Sequence, residues 1–411
     1  MSAYSSALSG LLANTTALDV VSNNLANMNT QGFKSDSVTF EDMMNEATAS
    51  LQIGAGVGST GTATNFSQGS ITSTGNPLDA AIQGNGFFVV QNSSGEPLYT
   101  RDGTFTLNSS GQLVDSSGDL VQGWMATNGT VNPSGATSAI TVPLLSSQPP
   151  VATNTMSMNA NLDASAATGD TFSTPIQVVD SLGNTQTLTV TFTNTGSNAW
   201  SYNVTIPGQD LQGGTPGTNT SIATGNVAFN SSGALTTPAP PGTVNVTNTT
   251  ALADGAATLN VNWNLYDSSG NSLVTQYAQT SASTGTSQNG SQAGTVTGVS
   301  LQDGGQLVAT YSNGNTQTLA QVAVASVSNP DSLIANSNNT YSPGANTITP
   351  SVGAGGTGGR GTIVAESIEA SNVDMATEFT NLMIYQNGYE ASSKVITTQD
   401  QMDQTLLAIQ V

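Results

Sequence analysis

Apolar side chains near the N-terminus recur at alternating intervals of four and three residues, the spacing of one helical face. The repeat runs to Leu25 and ends in the Asn- and Gly-containing stretch 27–32, where a helix can terminate. Its apolar members are Tyr4, Leu8, Leu11, Leu18 and Leu25, with Thr15 and Ser22 at the intervening positions. The spacing predicts an amphipathic helix with a heptad seam, about 39 Å long.

A second repeat of the same kind lies at the C-terminus. No proline occurs from Val373 to Gln410, and the single interior glycine, Gly388, costs a helix only about 1 kcal/mol. The segment 371–374 offers a capping box at the start of this helix. The apolar members of its seam are Leu382, Tyr385, Tyr389, Ile396, Met402, Leu406 and Ile409. This pattern predicts a second helix, roughly 57 Å long.

Between the two repeats the pattern changes to alternation with a period of two. Segments 187–193, 200–206 and 259–265 each alternate apolar with polar residues, as strands with one buried face do. Ser-Ser-Gly triplets and Asn-Gly or Asp-Gly pairs separate such segments, and these are turn signals. The middle of the chain is therefore predicted to be antiparallel β-structure.

Together these patterns predict a mainly β protein with terminal α-helices. The N- and C-terminal helices pair as a coiled-coil-like core, followed by two antiparallel β domains, the outer one inserted into the inner one. The predicted boundaries are 1–32 with 372–411 for the helical core, 33–70 with 350–371 for a connector, 71–145 with 290–349 for the inner β domain, and 146–289 for the outer β domain.

The two seams suggest how the protein assembles. They lie at opposite ends of the chain, and neither has a helical neighbour within its own half. Pairing with each other and with seams from other copies buries them at the lowest cost, so their apolar residues are predicted to form an assembly interface. A closed hairpin within one chain is the alternative.

Composition and charge exclude several classes of protein. The 411 residues include only four basic side chains against 25 acidic ones, a net charge of −21, so nucleic-acid binding is excluded and anionic membranes repel the chain. The absence of Cys and His removes thiol and imidazole chemistry. We therefore predict no enzyme activity and no catalytic, cofactor or metal site. A G-x-G-x-x-G match at 353–358 lacks the strand–helix–strand context of a nucleotide site and is interpreted as a flexible joint.

Several long strings resemble the bacterial flagellar rod and hook family. They are Leu8–Leu11 with Leu18–Lys34, the stretch 66–105, and the C-terminal segments 361–373 and 393–400. Under half of the chain carries this resemblance. The residues that match the family signature are Asn23, Asn24, Asn27, Gly32, Phe33, Lys34, Gly75, Asn76, Asp79, Gly86, Phe87, Arg101, Asn372 and Lys394.

The resemblance implies an extracellular structural subunit of the flagellum. The inserted segment 146–289 favours the hook subunits of the family over the shorter rod subunits. Such a subunit is expected to polymerise with itself into a curved, flexible tube that acts as a universal joint and transmits motor torque. Its expected partners are the hook cap protein, the distal rod protein, the hook–filament junction proteins and the flagellar type III export apparatus, which needs no cleaved signal peptide. The alternatives are a distal rod or junction role, or a secreted β-rich adhesin.

Overall fold

The computed structural model describes residues 3–44, 54–143 and 147–409. Its described residues form two compact units. The first lies within Met1–Leu144, Gly298–Ala309 and Thr316–Val411, and the second lies within Leu145–Thr297 and Thr310–Asn315. The predicted fold class, mainly β with a helix at each end, is confirmed.

The two terminal helices are α1 (Ala3–Ala26) and α2 (Met375–Ile409). The start of α2 differs from the predicted capping box, because Asp374 takes the capping role and its Oδ1 accepts a hydrogen bond from Thr377 N at 2.7 Å. A carboxylate at this position satisfies a free amide of the first turn, and this hydrogen bond lowers the pKa of Asp374.

A two-stranded sheet follows α1 in the stretch that the sequence assigned to a connector. It consists of β1 (Asp36–Met44) and β2 (Gly54–Thr64), which pair antiparallel. Glycine at position 56 has φ +107°, and a Cβ there would collide with the Ser9 side chain. The glycine content that resembled a loop therefore lets β2 approach α1 closely, with Val57 N donating to Ser9 Oγ at 3.2 Å.

The rest of the first unit is a β domain built from strands on both sides of the inserted segment. Its central sheet has the order β23-β24-β25-β9-β5-β6-β27-β26. The strands before the insertion are β3 (Ile71–Ser73), β4 (Ala80–Gln83), β5 (Phe87–Gln91), β6 (Pro97–Thr100), β7 (Thr106–Leu107), β8 (Leu113–Val114), β9 (Leu120–Thr127), β10 (Thr130–Val131) and β11 (Ser138–Ala139). Those after it are β23 (Gly294–Gln302), β24 (Gln306–Tyr311), β25 (Thr316–Ser326), β26 (Leu333–Ala335), β27 (Thr340–Pro343), β28 (Ser351–Ala354), β29 (Thr362–Ala365) and β30 (Ser367–Glu369), and a 3-10 turn spans Pro330–Ser332.

The second unit contains two five-stranded sheets around one apolar core. Its strands are β12 (Ser147–Gln148), β13 (Thr155–Asp163), β14 (Thr171–Val179), β15 (Thr185–Gly196), β16 (Ala199–Pro207), β17 (Asn219–Phe229), β18 (Leu235–Thr237), β19 (Thr243–Thr247), β20 (Asn260–Asn264), β21 (Val274–Tyr277) and β22 (Ala282–Gln288), and a 3-10 turn spans Gly208–Asp210. The alternation at 187–193, 200–206 and 259–265 falls on β15, β16 and β20, and its apolar members are buried.

Two features of the second unit differ from the sequence prediction. Strand β13 pairs in parallel with β20 and with β21, and not only antiparallel as predicted. Long connections separate these strands along the chain, which is the condition for parallel pairing. Residues 290–297 and 310–315, assigned by sequence to the inner domain, belong to this unit, which therefore includes the first residues of β23 and the last residues of β24. There Asn313 Nδ2 donates to Gln292 O at 2.8 Å.

Candidate assembly surface

Small residues hold the two terminal helices together. A Cβ at Gly388 would lie 2.7 Å from Asn14 Oδ1, and one at Gly10 would lie 3.2 Å from Ser392 Oγ. Since Asn24 Nδ2 also donates to Glu378 Oε1 at 3.1 Å, the helices run antiparallel. The buried side chains of α1 are Ala7, Ala13, Ala17, Val21 and Asn24.

This register leaves the end of α2 beyond the reach of α1. Position 14 lies opposite position 388, so the first described position of α1 lies opposite position 399. From 401 to 408 every side chain of α2 is exposed. The last turns of α2 therefore project past the start of the described part of α1.

The predicted seam residues of α1 are not among its fully buried side chains, and their role in an assembly interface stays a prediction. Tyr4 and Leu8 are 43% and 39% exposed, while Leu11, Leu18 and Leu25 are only half-buried. Leu8, Leu18 and Leu25 each follow a buried residue by one position, or about 100° around the helix. The prediction selected positions with large apolar side chains. Close packing of two helices instead uses Ala and Gly, because small side chains let the backbones approach.

Some residues of the predicted seam of α2 are half-buried, and others are exposed. Leu382, Tyr385 and Ile396 are half-buried, and the ring of Tyr385 meets Phe40 of β1 edge-on at 6.2 Å. Tyr389, Met402 and Leu406 are exposed. Ile409 ends α2, but its side chain lies outside the described ones.

A large apolar surface remains uncovered on the helices. Isolated exposed apolar side chains are normal on a monomer, but a concentration of them along two helices indicates an interface. Its members are Tyr4, Leu8, Leu12, Met375, Phe379, Met383, Ile384, Tyr389, Val395, Met402, Leu406 and Leu407, each between 39% and 66% exposed.

A buried ion cluster anchors the helical part to the β domain. Glu369 Oε1 lies 2.6 Å from Lys34 Nζ, and its Oε2 lies 3.0 Å from Arg101 Nη1. Lys34 Nζ also donates to Ser67 O at 2.7 Å. Burial lowers the pKa of Lys34, and the hydrogen bond and charge of Glu369 oppose that shift. The cluster joins the segment after α1, the β domain and the segment before α2.

Asparagine side chains complete this junction. Asn24 Oδ1 accepts from Asp36 N at 2.9 Å, and its Nδ2 donates to Asp36 O at 2.8 Å. Asn372 Oδ1 accepts from Ser35 N at 2.8 Å, and its Nδ2 donates to Asn65 O at 2.7 Å. The side-chain amides of both residues bond to backbone groups of the segments that follow α1, as a neighbouring strand would. Asn24 lies near the end of α1, and Asn372 lies just before the start of α2.

The other signature residues take local structural positions. Asn27 Nδ2 donates to Asn23 O, and Asn76 Nδ2 donates to Asp79 Oδ1 at 2.8 Å. At Gly32 φ is +67°, and a Cβ would lie 2.6 Å from the Arg101 backbone. The remaining members are Phe33, which is buried, Gly75 and Gly86, which have positive φ, Phe87, which packs against Phe66 and Tyr341, and Lys394, which is exposed on α2.

Sequence reasoning missed the role of Glu369 and the burial of Ala13 and Ala17 on α1. Glu369 lies 335 positions from Lys34 in the sequence, and only the scarcity of basic residues suggested that those present are used. Among the described residues, no helix is long and apolar enough to cross a membrane, and no group of three or more Asp or Glu side chains is placed to hold a metal ion.

Comparison with known proteins identifies the family of this chain. Flagellar hook protein FlgE of Escherichia coli (strain K12) is 32% identical over 421 residues, which cover 98% of this chain and 99% of that protein. The Salmonella typhimurium protein of the same name is 32% identical, with the same coverage. The chain belongs to the flagellar hook protein family. The more distant Treponema pallidum hook protein is 30% identical and covers 98% of each chain.

Four family models match parts of this chain, two of them overlapping. Residues 5–34 match the flagella basal body rod protein model, and residues 81–197 match the flagellar hook protein FlgE/F/G D1 domain. Residues 145–291 match the flagellar basal body protein FlaE D2 domain, and residues 364–409 match the flagellar basal body rod FlgEFG protein C-terminal model. Both helices therefore lie in regions that the family shares with rod proteins.

Proposed function

We propose that this chain, a structural subunit of the bacterial flagellar hook, polymerises through its paired terminal helices into a curved, flexible tube that transmits motor torque. The observation that carries the proposal is the uncovered apolar surface of α1 and α2, at 39% to 66% exposure per residue. Burying a fully exposed side chain of this size contributes about 1.5–3 kcal/mol, and covering the exposed part of each of these contributes a share of that. A polymer of copies offers every subunit a means of covering this surface.

The ion cluster supports the transmission of force. Its buried ion pairs tie both helices to the β domain, so a load on the helices reaches the domain through Glu369 as well as through the backbone. Removing one partner of such a buried set is strongly unfavourable, so the junction is expected to stay intact under load. In this proposal, flexibility of the tube arises between copies rather than at this junction.

The location and the other partners of the chain follow the family. We propose that it is exported without a cleaved signal peptide by the flagellar type III apparatus and is added beneath the hook cap protein. The distal rod protein and the hook–filament junction proteins are its proposed neighbours at the two ends of the tube. No enzyme activity is part of this role.

Electron microscopy of the purified, polymerised chain tests the proposal. Curved tubes support a hook role, whereas straight tubes would favour the distal rod role. A variant lacking residues 372–411 should remain soluble with a folded β core and form no tubes. Tubes assembled from that variant would contradict assembly through the helices.

A further inference from the structure

Lys394 has no ion-pair partner among the described residues of its own chain. It is the single basic residue of the two helices, where the acidic residues are Asp19, Glu378, Glu390, Asp400 and Asp403. Glu390 precedes it by four positions, a favourable helical spacing. Among the described residues, the structure nevertheless contains no ion pair at Lys394, which is exposed.

The surroundings of Lys394 form a shallow, largely apolar strip along one face of α2, called the Lys394 groove. The groove is lined by Ala391, Val395, Thr398, Gln399 and Met402 beside the lysine itself. It continues towards Leu406, which is 62% exposed. Its far end lies on the projecting turns that α1 of the same chain does not reach. An occupant of this groove must therefore offer apolar side chains and one negative charge.

The outer face of α1 has this composition. Tyr4, Leu8, Leu12 and Asp19 are all exposed, and at 100° per residue they fall within an arc of about 80°. Asp19 is the sole charged residue of α1. Among the described residues it takes part in no ion pair.

The spacing of the two faces matches when the helices run antiparallel. Leu12 and Leu8 lie about 10 and 16 Å from Asp19 along α1, while Met402 and Leu406 lie about 12 and 18 Å from Lys394 along α2. Placing Asp19 opposite Lys394 therefore brings both leucines within about one residue rise of their apolar counterparts. A parallel arrangement instead places Leu12 opposite Asn387, which is polar.

Polymer symmetry also selects the antiparallel arrangement. Within one chain α1 and α2 run antiparallel. When copies stack in the same direction along a tube, α1 of one copy keeps the direction of α1 in the next, so it runs antiparallel to the neighbouring α2. Heterologous contacts of this kind repeat without closing, as a filament requires.

We propose that the outer face of α1 (Tyr4, Leu8, Leu12 and Asp19) docks into the Lys394 groove of a second copy, with Asp19 paired to Lys394. This inference rests on the proposed function, and it specifies the register in which α1 of one copy lies along α2 of the next. The intermolecular register differs from that within the chain by 11 residues, or about 16 Å. The neighbouring α1 thereby covers the projecting end of α2.

Charge reversal tests the pairing. In the full chain, Asp19→Lys and Lys394→Glu should each raise the critical concentration for polymerisation at least tenfold, because like charges then face each other beside apolar surface. The double variant, which restores opposite charges, should return it to within threefold of the unaltered chain. Glu390→Gln is the matched control on the same helix and should leave it unchanged. Failure of the double variant to recover would overturn the pairing.

Engineered cysteines test the register independently. The chain has no Cys, so a variant with Leu12→Cys and Met402→Cys carries only these two thiols, and the single-cysteine variants control for pairs between like positions. Within a chain these positions are about 18 Å apart along the helices, too far for a disulfide. Oxidised polymers should therefore yield a ladder of covalently linked oligomers. Leu8→Cys with Met383→Cys reports the parallel arrangement, and a ladder from that pair alone would overturn the proposal.

The outcomes separate this inference from the proposed function. If both charge-reversal variants form tubes at the normal concentration while removal of residues 372–411 prevents them, the Asp19–Lys394 pairing is wrong and assembly through the helices stands. If the unaltered chain forms no polymer under any condition in which it is folded, both fail.

Discussion

Gly388 of α2 lies directly against Asn14 of α1, and a Cβ on the glycine would approach Asn14 Oδ1 to 2.7 Å. Asn14 Nδ2 meanwhile donates to Gly10 O at 2.7 Å, so the amide is held in place within α1. A glycine inside a helix costs about 1 kcal/mol relative to alanine. Here that cost is offset by the close approach of two helices.

Gly388→Leu should therefore separate the helices although leucine favours helix formation. Overpacking a close contact costs about 1–3 kcal/mol, which exceeds the gain of about 1 kcal/mol in helix propensity. Thermal unfolding followed by the helical circular-dichroism signal should show an earlier loss of helix. Asn387→Leu, at an exposed neighbouring position, is the control and should not advance the transition. An equal or later transition for Gly388→Leu would contradict the packing described here.

Glu369→Gln should destabilise the first unit, because Lys34 and Arg101 then lose their shared carboxylate inside the protein. Breaking a buried charge set in this way costs about 3–5 kcal/mol, measurable by denaturant unfolding. Glu366→Gln, an exposed carboxylate three positions earlier, should cost little. Equal stability of the two variants would show that the ion cluster contributes no more than a surface charge does.

The stability that the Glu369→Gln variant loses relative to the unaltered chain should become smaller as the pH rises. Burial lowers the pKa of Lys34 below its ordinary value of 10.5, so between the lowered pKa and 10.5 the unfolded chain binds more protons than the folded one. The free energy of unfolding contributed by Lys34 therefore rises with pH across that window. Loss of the carboxylate lowers this pKa further and widens the window, so the deficit of the variant should shrink as pH is raised towards 10.5.

Tyr341 should produce a loss of stability at alkaline pH. Burial in the aromatic cluster with Phe66 and Phe87, and secondarily the charge of Asp36, raise the pKa of its hydroxyl above the ordinary 10.0. Above pH 10 the unfolded chain loses this proton while the folded chain keeps it, so the free energy of unfolding falls by up to about 1.4 kcal/mol per pH unit. Tyr341→Phe should make the fall shallower. Below pH 9 the two curves should run parallel, and identical slopes above pH 10 would contradict the assignment.

The parts of this fold that sequence predicts are those in which pattern and burial coincide locally. Phe192 and Val261 are buried because alternation within a single strand sets them facing the core. The heptad repeat locates α1, whose end at Ala26 precedes the predicted stop signal. These features depend on neighbours along the chain.

Contacts between segments that are distant in the sequence could not be predicted from local patterns. Leu8 is a more conspicuous apolar residue than Ala17, yet Ala17 is fully buried while Leu8 is exposed. The pairing of Glu369 with Lys34 and Arg101 depends on how three separate segments converge. Side-chain volume and tertiary register decide which face of a helix contacts which partner. Heptad spacing alone specifies neither the volume nor the register.

Polymerisation of two matched variants tests the central claim most directly. Leu12 on α1 and Leu182 in the second unit are 58% and 56% exposed, so an aspartate at either position should leave folding intact. Leu12→Asp should remain in the supernatant after high-speed centrifugation and show no tubes in electron micrographs. Leu182→Asp should pellet as tubes, as the unaltered chain does. Tubes from Leu12→Asp at the normal concentration would contradict assembly through the outer face of α1.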